Sequence, residues 1–216
     1  FDAQISVEHA GDSGEGITIG REGTTTTEYE NFEVIVGSES NDSFRRPETG
    51  DKEIFFIGAG GNDELDYEGS APGIVSRRGP SLGGEPSVRF RQRGVGVVNA
   101  IGIETVGGTD QRDRFFVALP RTYARGGNDD IVLRAGEGGY GGRGNDRFVV
   151  AEPGVRWVIG GRGADAIKFR AAGFPDGVKV DLRAEVASPR TSPNITTRVR
   201  SVIWVIGTPS RDIIFG

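Results

Sequence analysis

Seven aspartates share one local setting. Asp42, Asp63, Asp113, Asp129, Asp146, Asp165 and Asp212 each close a short turn that opens five residues earlier, on Gly37, Gly58, Gly108, Ala124, Gly141, Gly160 and Gly207. The two clearest turns are Gly141-Gly142-Arg143-Gly144-Asn145-Asp146, followed by Arg147-Phe148-Val149, and Gly160-Gly161-Arg162-Gly163-Ala164-Asp165, followed by Ala166-Ile167-Lys168. Two have diverged: Gly58-Ala59-Gly60-Gly61-Asn62-Asp63 and Ala124-Arg125-Gly126-Gly127-Asn128-Asp129. A carboxylate beside glycine-rich backbone offers only oxygen donors. Glycine adopts dihedrals that a Cβ forbids, so its neighbours' carbonyls can be turned outward. That donor set suits a hard cation such as calcium, which takes roughly six to eight oxygens at about 2.3–2.6 Å.

Other chemistries lack their residues. With no cysteine, thiolate metal sites, disulfides and Cys-His catalysis are excluded. His9 is the one histidine, so histidine-rich zinc sites are excluded by count. Its neighbours Glu8, Asp12 and Ser13 invite a catalytic reading, but no nucleophile-elbow motif supports a triad. His9 therefore reads as an exposed strand residue. No pair among the 31 acidic residues is singled out for glycoside hydrolysis. The chain is expected not to be an enzyme.

The turns need elements to hold them. Phe148-Val149-Val150 is aromatic and β-branched, Ala151-Glu152-Pro153-Gly154 reads as a turn, and Val155-Arg156-Trp157-Val158-Ile159 as a return strand. The unit is strand, polar turn, strand, Gly-Asp turn. The polar turn at Arg134-Ala135-Gly136-Glu137-Gly138-Gly139 has no aspartate, which suggests a one-sided array. Looser turns run from Gly37 to Asp42, Gly108 to Asp113 and Gly207 to Asp212, each after a short apolar strand: Phe32–Val36, Ile103–Val106 and Val202–Ile206. Successive aspartates are separated by 21, 50, 16, 17, 19 and 47 residues. The two long intervals hold insertions, roughly 67–102 and 169–201, that resemble each other around Tyr67–Val75 and Phe169–Val178. Val178-Lys179-Val180-Asp181-Leu182 alternates as a half-buried strand. The segment before Asp42 reads as a third copy, with Gly16–Ile19 as the matching strand. No segment has convincing helical periodicity.

These turns resemble the nonapeptide G-G-x-G-x-D-x-U-x of RTX, or hemolysin-type, calcium-binding repeats, and the looser turns resemble the segments that open such arrays. The resemblance is tight in about four turns and loose in the insertions. It implies an all-β fold, a parallel β-roll or β-solenoid with about 18 residues per coil, degenerate Gly-Asp turns and inserted strands. The aspartates would then stand in a single row on one side. The family binds one ion between successive turns, with carbonyls and an aspartate from each. Carried over, Asp129 pairs with Asp146 and Asp146 with Asp165; Asp42 with Asp63, and Asp113 with Asp129, are weaker pairs. The implied metal residues are Asp42, Gly58, Gly61, Asp63, Asp113, Gly127, Asn128, Asp129, Gly142, Gly144, Asn145, Asp146, Gly161, Gly163 and Asp165. Leu65, Ile131, Phe148 and Ile167 would point inward.

The pattern is also broken in places. Arg112 and Arg211 stand where asparagine commonly precedes the aspartate, Arg143 and Arg162 lie inside the best turns, and Ala164 replaces asparagine. A competing reading keeps the turns for their backbone alone, with arginine neutralising the aspartates.

Composition fits a thin core: 36 glycines and only 35% apolar residues in 216. The net charge of −5 argues against a nucleic-acid partner. No apolar run is long enough to span a bilayer. Arg77-Arg78 and Arg89-Phe90-Arg91-Gln92-Arg93 form a basic patch suited to an anionic polysaccharide or a lipid headgroup, or to guarding a strand edge. Trp157 and Trp204 read as strand-packing residues, and the sequon Asn194-Ile195-Thr196 as chance. The expected organisation is one repeat-built domain, 1–216, in units of approximately 1–62, 63–128 and 129–216. The missing initial methionine and the close at Ile213–Gly216 suggest part of a longer chain. The resemblance implies a secreted or cell-surface protein whose partners are calcium ions, with a surface polysaccharide or other protein modules as further candidates. A metal-independent adhesive scaffold and an accessory module of a secreted hydrolase or polysaccharide-modifying enzyme stay open.

Overall fold

The computed structural model describes residues 4–10, 13–20, 23–30, 34–45, 53–67 and 72–216, with backbone alone for those before 34. Expectations at His9, at Phe32 and Glu33, and at residues 68–71 lie outside the described residues or side chains. The described residues are all-β, with one 3₁₀ turn at Ala171–Gly173. It divides into two compact units, Phe1–Asp110 and Gln111–Gly216.

In the second unit, the strands that follow the aspartate turns stack in parallel. Arg114–Phe115, Asp130–Leu133, Arg147–Val150, Ala166–Phe169 and Trp204–Ile206 are neighbours in that order. Their register aligns Phe115, Ile131, Phe148 and Ile167 in one column, all fully buried. The strands that precede the turns form a second parallel ladder, Arg121–Tyr123, Gly138–Arg143, Trp157–Arg162 and Thr197–Arg200. Its inward column is Thr122, Gly139, Val158 and Val199. Gly139 faces Leu133, Phe148 and Ile131 across the gap, so the core lies between the ladders and Phe148 fills the space a side chain at 139 would need. A one-residue slip in any strand would turn its column to solvent. The common offset from aspartate to apolar residue therefore fixes the register.

The first unit repeats the scheme. Ser43–Arg45, Glu64–Asp66 and Thr105–Gly107 pair in parallel and bury Phe44, Leu65 and Val106 in one column. Opposite them, Val34–Val36, Glu53–Ile57 and Gly96–Ile101 are parallel neighbours. Phe44 stacks on Phe56, with ring centroids 5.0 Å apart. Leu65, Ile131, Phe148 and Ile167 thus all point inward, as expected.

Both insertions are antiparallel meanders whose last strand rejoins the parallel ladder. Ile74–Leu82, Glu85–Gln92 and Gly96–Ile101 make the first. Val178–Asp181, Val186–Pro189 and Thr197–Arg200 make the second. The backbone of Gln4–Ala10, Ser13–Gly20 and Gly23–Glu30 forms a third, with Gly16–Ile19 inside its middle strand.

Candidate metal centre

Four turns share one backbone. Their second residue has a left-handed φ: 73° at Ala59, 72° at Arg125, 104° at Gly142 and 111° at Gly161. So does the fourth, at Gly61, Gly127, Gly144 and Gly163. Stacking makes glycine necessary at the fourth position. A Cβ on Gly144 would stand 1.6 Å from the Gly127 carbonyl oxygen, and one on Gly163 would stand 1.8 Å from that of Gly144. Arg143 N donates to Arg125 O at 2.7 Å and Gly144 N to Arg162 O at 2.8 Å, tying neighbouring turns together.

Each aspartate reaches back to the turn before it. Asp113 N donates to Asp129 Oδ1 at 2.8 Å, Asp129 N to Asp146 Oδ1 at 2.9 Å and Asp146 N to Asp165 Oδ1 at 2.8 Å. In the first unit, Asp42 N donates to Asp63 Oδ1 at 2.8 Å. The expected single row is corrected here. Asp63 N donates at 2.9 Å to Glu104 Oε2, so a glutamate inside the first long interval takes the next place. Asp212 accepts at 2.9 Å from Val178 N in the second insertion, and stands outside the Asp113–Asp165 row. The insertions interrupt the series: Glu104 follows the returning strand of the first, and Val178 opens the first strand of the second.

The carboxylates fall into two classes. In the looser turns, a hydroxyl residue at the second position satisfies the aspartate. Ser38 Oγ donates to Asp42 Oδ1 at 3.1 Å. Thr208 N donates to Asp212 Oδ2 at 2.8 Å, and Thr208 Oγ1 to Asp212 Oδ1 at 3.1 Å. In the four glycine turns, the second oxygen of Asp63, Asp129, Asp146 and Asp165 is buried with no hydrogen-bond donor. It lies against the first residue of its own turn: a Cβ on Gly58 would meet Asp63 Oδ2 at 2.1 Å, and one on Gly141 would meet Asp146 Oδ2 at 2.1 Å. Next-turn carbonyls converge on the same spots, Gly102 O at 2.2 Å and Gly160 O at 2.7 Å.

Burying an anion without a donor is costly, and the proton becomes harder to remove. Desolvation, helped by the neighbouring carboxylates, pushes Asp129 up to about 9 against a backbone hydrogen bond that favours the anion. Asp63 and Asp146 are pushed up to about 6, again chiefly by desolvation. Asp165 is raised for the same reason.

Three arginines flanking Asp113 and Asp146 in sequence converge on a different carboxylate, Asp130. Arg112 Nη2 lies 2.6 Å from Asp130 Oδ2, and Arg147 and Arg114 lie 3.6 and 3.8 Å from the same carboxylate. Asparagine side chains make an outer ladder. Asn62 N donates to Asn41 Oδ1, Asn145 N to Asn128 Oδ1 and Ala164 N to Asn145 Oδ1. Only the backbone at 164 takes part, which explains why alanine is tolerated there. A cleft of about 230 Å³ opens beside Asn128, Asp129, Asn145 and Asp146.

The oxygens present are of the kind calcium takes: four unshared carboxylate oxygens and nearby backbone carbonyls. One carboxylate per turn is the pattern, and among the described residues no three acidic, histidine or cysteine side chains form a preformed cluster. The expected residues thus separate. Gly58, Gly61, Asp63, Gly127, Asn128, Asp129, Gly142, Gly144, Asn145, Asp146, Gly161, Gly163 and Asp165 belong to glycine turns, while Asp42 and Asp113 precede them in the rows. Glu104 falls inside the expected strand Ile103–Val106, but the strand begins only at Thr105, which leaves the glutamate side chain to reach Asp63 N.

Two surface features complete the map. Arg77 faces Arg89 in register, with Arg78 and Arg91 beside them, and Arg89 pairs with Glu53 at 3.1 Å. Trp157 packs on a neighbouring strand, as expected, but on the outer face, and Trp204 is 63% exposed. No family model matches this sequence. No curated protein matches it either.

Proposed function

We propose that this chain is a calcium-responsive structural module, a parallel β-roll of the hemolysin-type kind, that stiffens when cations occupy its glycine turns. The supporting observation is the set of donorless buried oxygens on Asp63, Asp129, Asp146 and Asp165, found in the four turns closest to the nonapeptide and absent at Asp42 and Asp212, where a hydroxyl residue intervenes. A bound calcium supplies the positive charge that these oxygens lack. Asp129, Asp146 and Asp165, in consecutive turns, are the residues that would hold it. Without the ion, raised proton affinity keeps part of the row neutral. The module works by holding shape, and a secreted or surface setting, where calcium is plentiful, suits it.

One observation favours a metal-independent scaffold. The Oδ1 of Asp63, Asp129, Asp146 and Asp165 each already accepts a backbone N–H at 2.8–2.9 Å, and the asparagine ladder ties the turns besides. Equilibrium dialysis at pH 8 separates the two. Retained calcium, unmatched by magnesium and diminished in Asp146→Asn, is the expected result. No retained calcium in the wild-type chain would leave the scaffold reading standing alone.

A further inference from the structure

A second site lies on the outer face of the second unit, away from the aspartates. The ladder Arg121–Tyr123, Gly138–Arg143, Trp157–Arg162 and Thr197–Arg200 presents two outward columns. One is Arg121, Gly138, Trp157 and Arg198; the other is Tyr123, Tyr140, Ile159 and Arg200. Gly138 sets the first column. A Cβ there would stand 2.2 Å from Trp157 Cε2, 2.5 Å from Nε1 and 2.6 Å from Cδ2. The indole therefore lies flat over the glycine. Tyr123 meets it at 5.9 Å between centroids and 41°, and Tyr140 meets Tyr123 at 6.3 Å and 62°. Arg121 and Arg198 close the two ends of the Trp157 column, and Arg156 stands just before the strand that begins at the indole. Together they line a groove of about 630 Å³ in which every charged residue is an arginine. Arg200 sits at the far end of the other column and is held by Glu185.

We propose that this groove binds an acidic polysaccharide, a polymer of carboxylate-bearing sugars. Three properties select that occupant. The Trp157 indole, laid flat over Gly138, suits the C–H face of a pyranose ring. Guanidinium groups take carboxylates in paired hydrogen bonds and stay charged at any relevant pH. The columns run across the strands at steps of about 4.8 Å, close to the advance per unit of a linked hexopyranose chain, so successive rings keep step with successive strands. A single-stranded nucleic acid also stacks on aromatic residues in basic grooves, but its longer repeat falls out of step with the strands. The groove is separate from the glycine turns, and its ligand binding needs no calcium.

Titrating the whole chain with oligogalacturonate in chelator, by calorimetry, tests the proposal. Saturable binding is expected, at least tenfold tighter than for a neutral cello-oligosaccharide of equal length or for oligo-dT. Trp157→Ala should weaken it tenfold or more. Arg156→Gln with Arg198→Gln should weaken it similarly and flatten its salt dependence, while Trp204→Phe leaves it unchanged. Circular dichroism confirms that each variant is folded; should Trp157→Ala fail, the arginine pair carries the test. No binding, equal binding of oligo-dT, or full affinity in the folded variants would overturn the assignment.

Discussion

Asp146 stands between two like charges, Asp129 before it and Asp165 after it, and interacts with both carboxyls. Its first oxygen is committed to Asp129 N, and its second faces the Gly160 carbonyl with no donor. Asparagine at 146 keeps the first bond, removes the charge and offers an N–H₂ where a donor is missing. Asp146→Asn should therefore stabilise the calcium-free protein at pH 8 by on the order of 2 kcal/mol, read as a higher melting temperature in chelator. The same change should shrink the gain from calcium. Loss of stability in both conditions would mean that the carboxylate is satisfied by something other than a cation. At the diverged turn, Ala59 holds a left-handed φ that costs a non-glycine residue about 1 kcal/mol. Ala59→Gly should recover part of it, measurable by urea unfolding.

Among elements, the glycine turn carries the stack. Gly144 combines a φ of 130° with a carbonyl where its Cβ would go. Gly144→Ala should cost about 3 kcal/mol, from left-handed strain together with overpacking, whereas alanine at Gly136, with open space around it, should cost only its left-handed strain, about 1 kcal/mol. Equal losses in chemical denaturation would contradict the stacking. Much of this was legible beforehand. The step from aspartate to Leu65, Ile131, Phe148 and Ile167 named the inward column, because strands alternate faces and the turn sets the phase. The hidden part was long-range. Glu104 enters the row only through a strand returning from the first insertion, and Asp212 is engaged instead by Val178, which opens the first strand of the second. Nor did the sequence alone separate satisfied from unsatisfied carboxylates, although the signal was present as Ser38, Thr109 and Thr208 at positions that glycine, alanine or arginine fills in the other four turns. Trp157 read as a packing residue; the flatness of its outer-face packing follows from Gly138 in the neighbouring strand, a pairing no local pattern reveals.

For the whole molecule, the raised carboxyls tie stability to pH. An acid whose folded pKa exceeds its ordinary value near 3.8 binds its proton more tightly in the fold. The stabilisation is complete below about pH 4 and is lost as pH rises through about 6 for Asp63 and Asp146, and through about 9 for Asp129. The calcium-free chain should therefore melt at progressively lower temperature from pH 5 to pH 9. Calcium acts in the opposite sense, since it needs the deprotonated carboxylates that high pH supplies. Its stabilising effect should be small at pH 5 and large at pH 8.

Calcium dependence of the fold is read most simply by thermal melting at pH 8, followed by far-UV circular dichroism in calcium, in magnesium and in excess chelator. The melting temperature should rise with calcium alone, and the gain should fade when the same pair of melts is run at pH 5. Identical melting in calcium and chelator at pH 8 would contradict it, and would leave a β scaffold held by its hydrogen-bonded aspartate and asparagine rows.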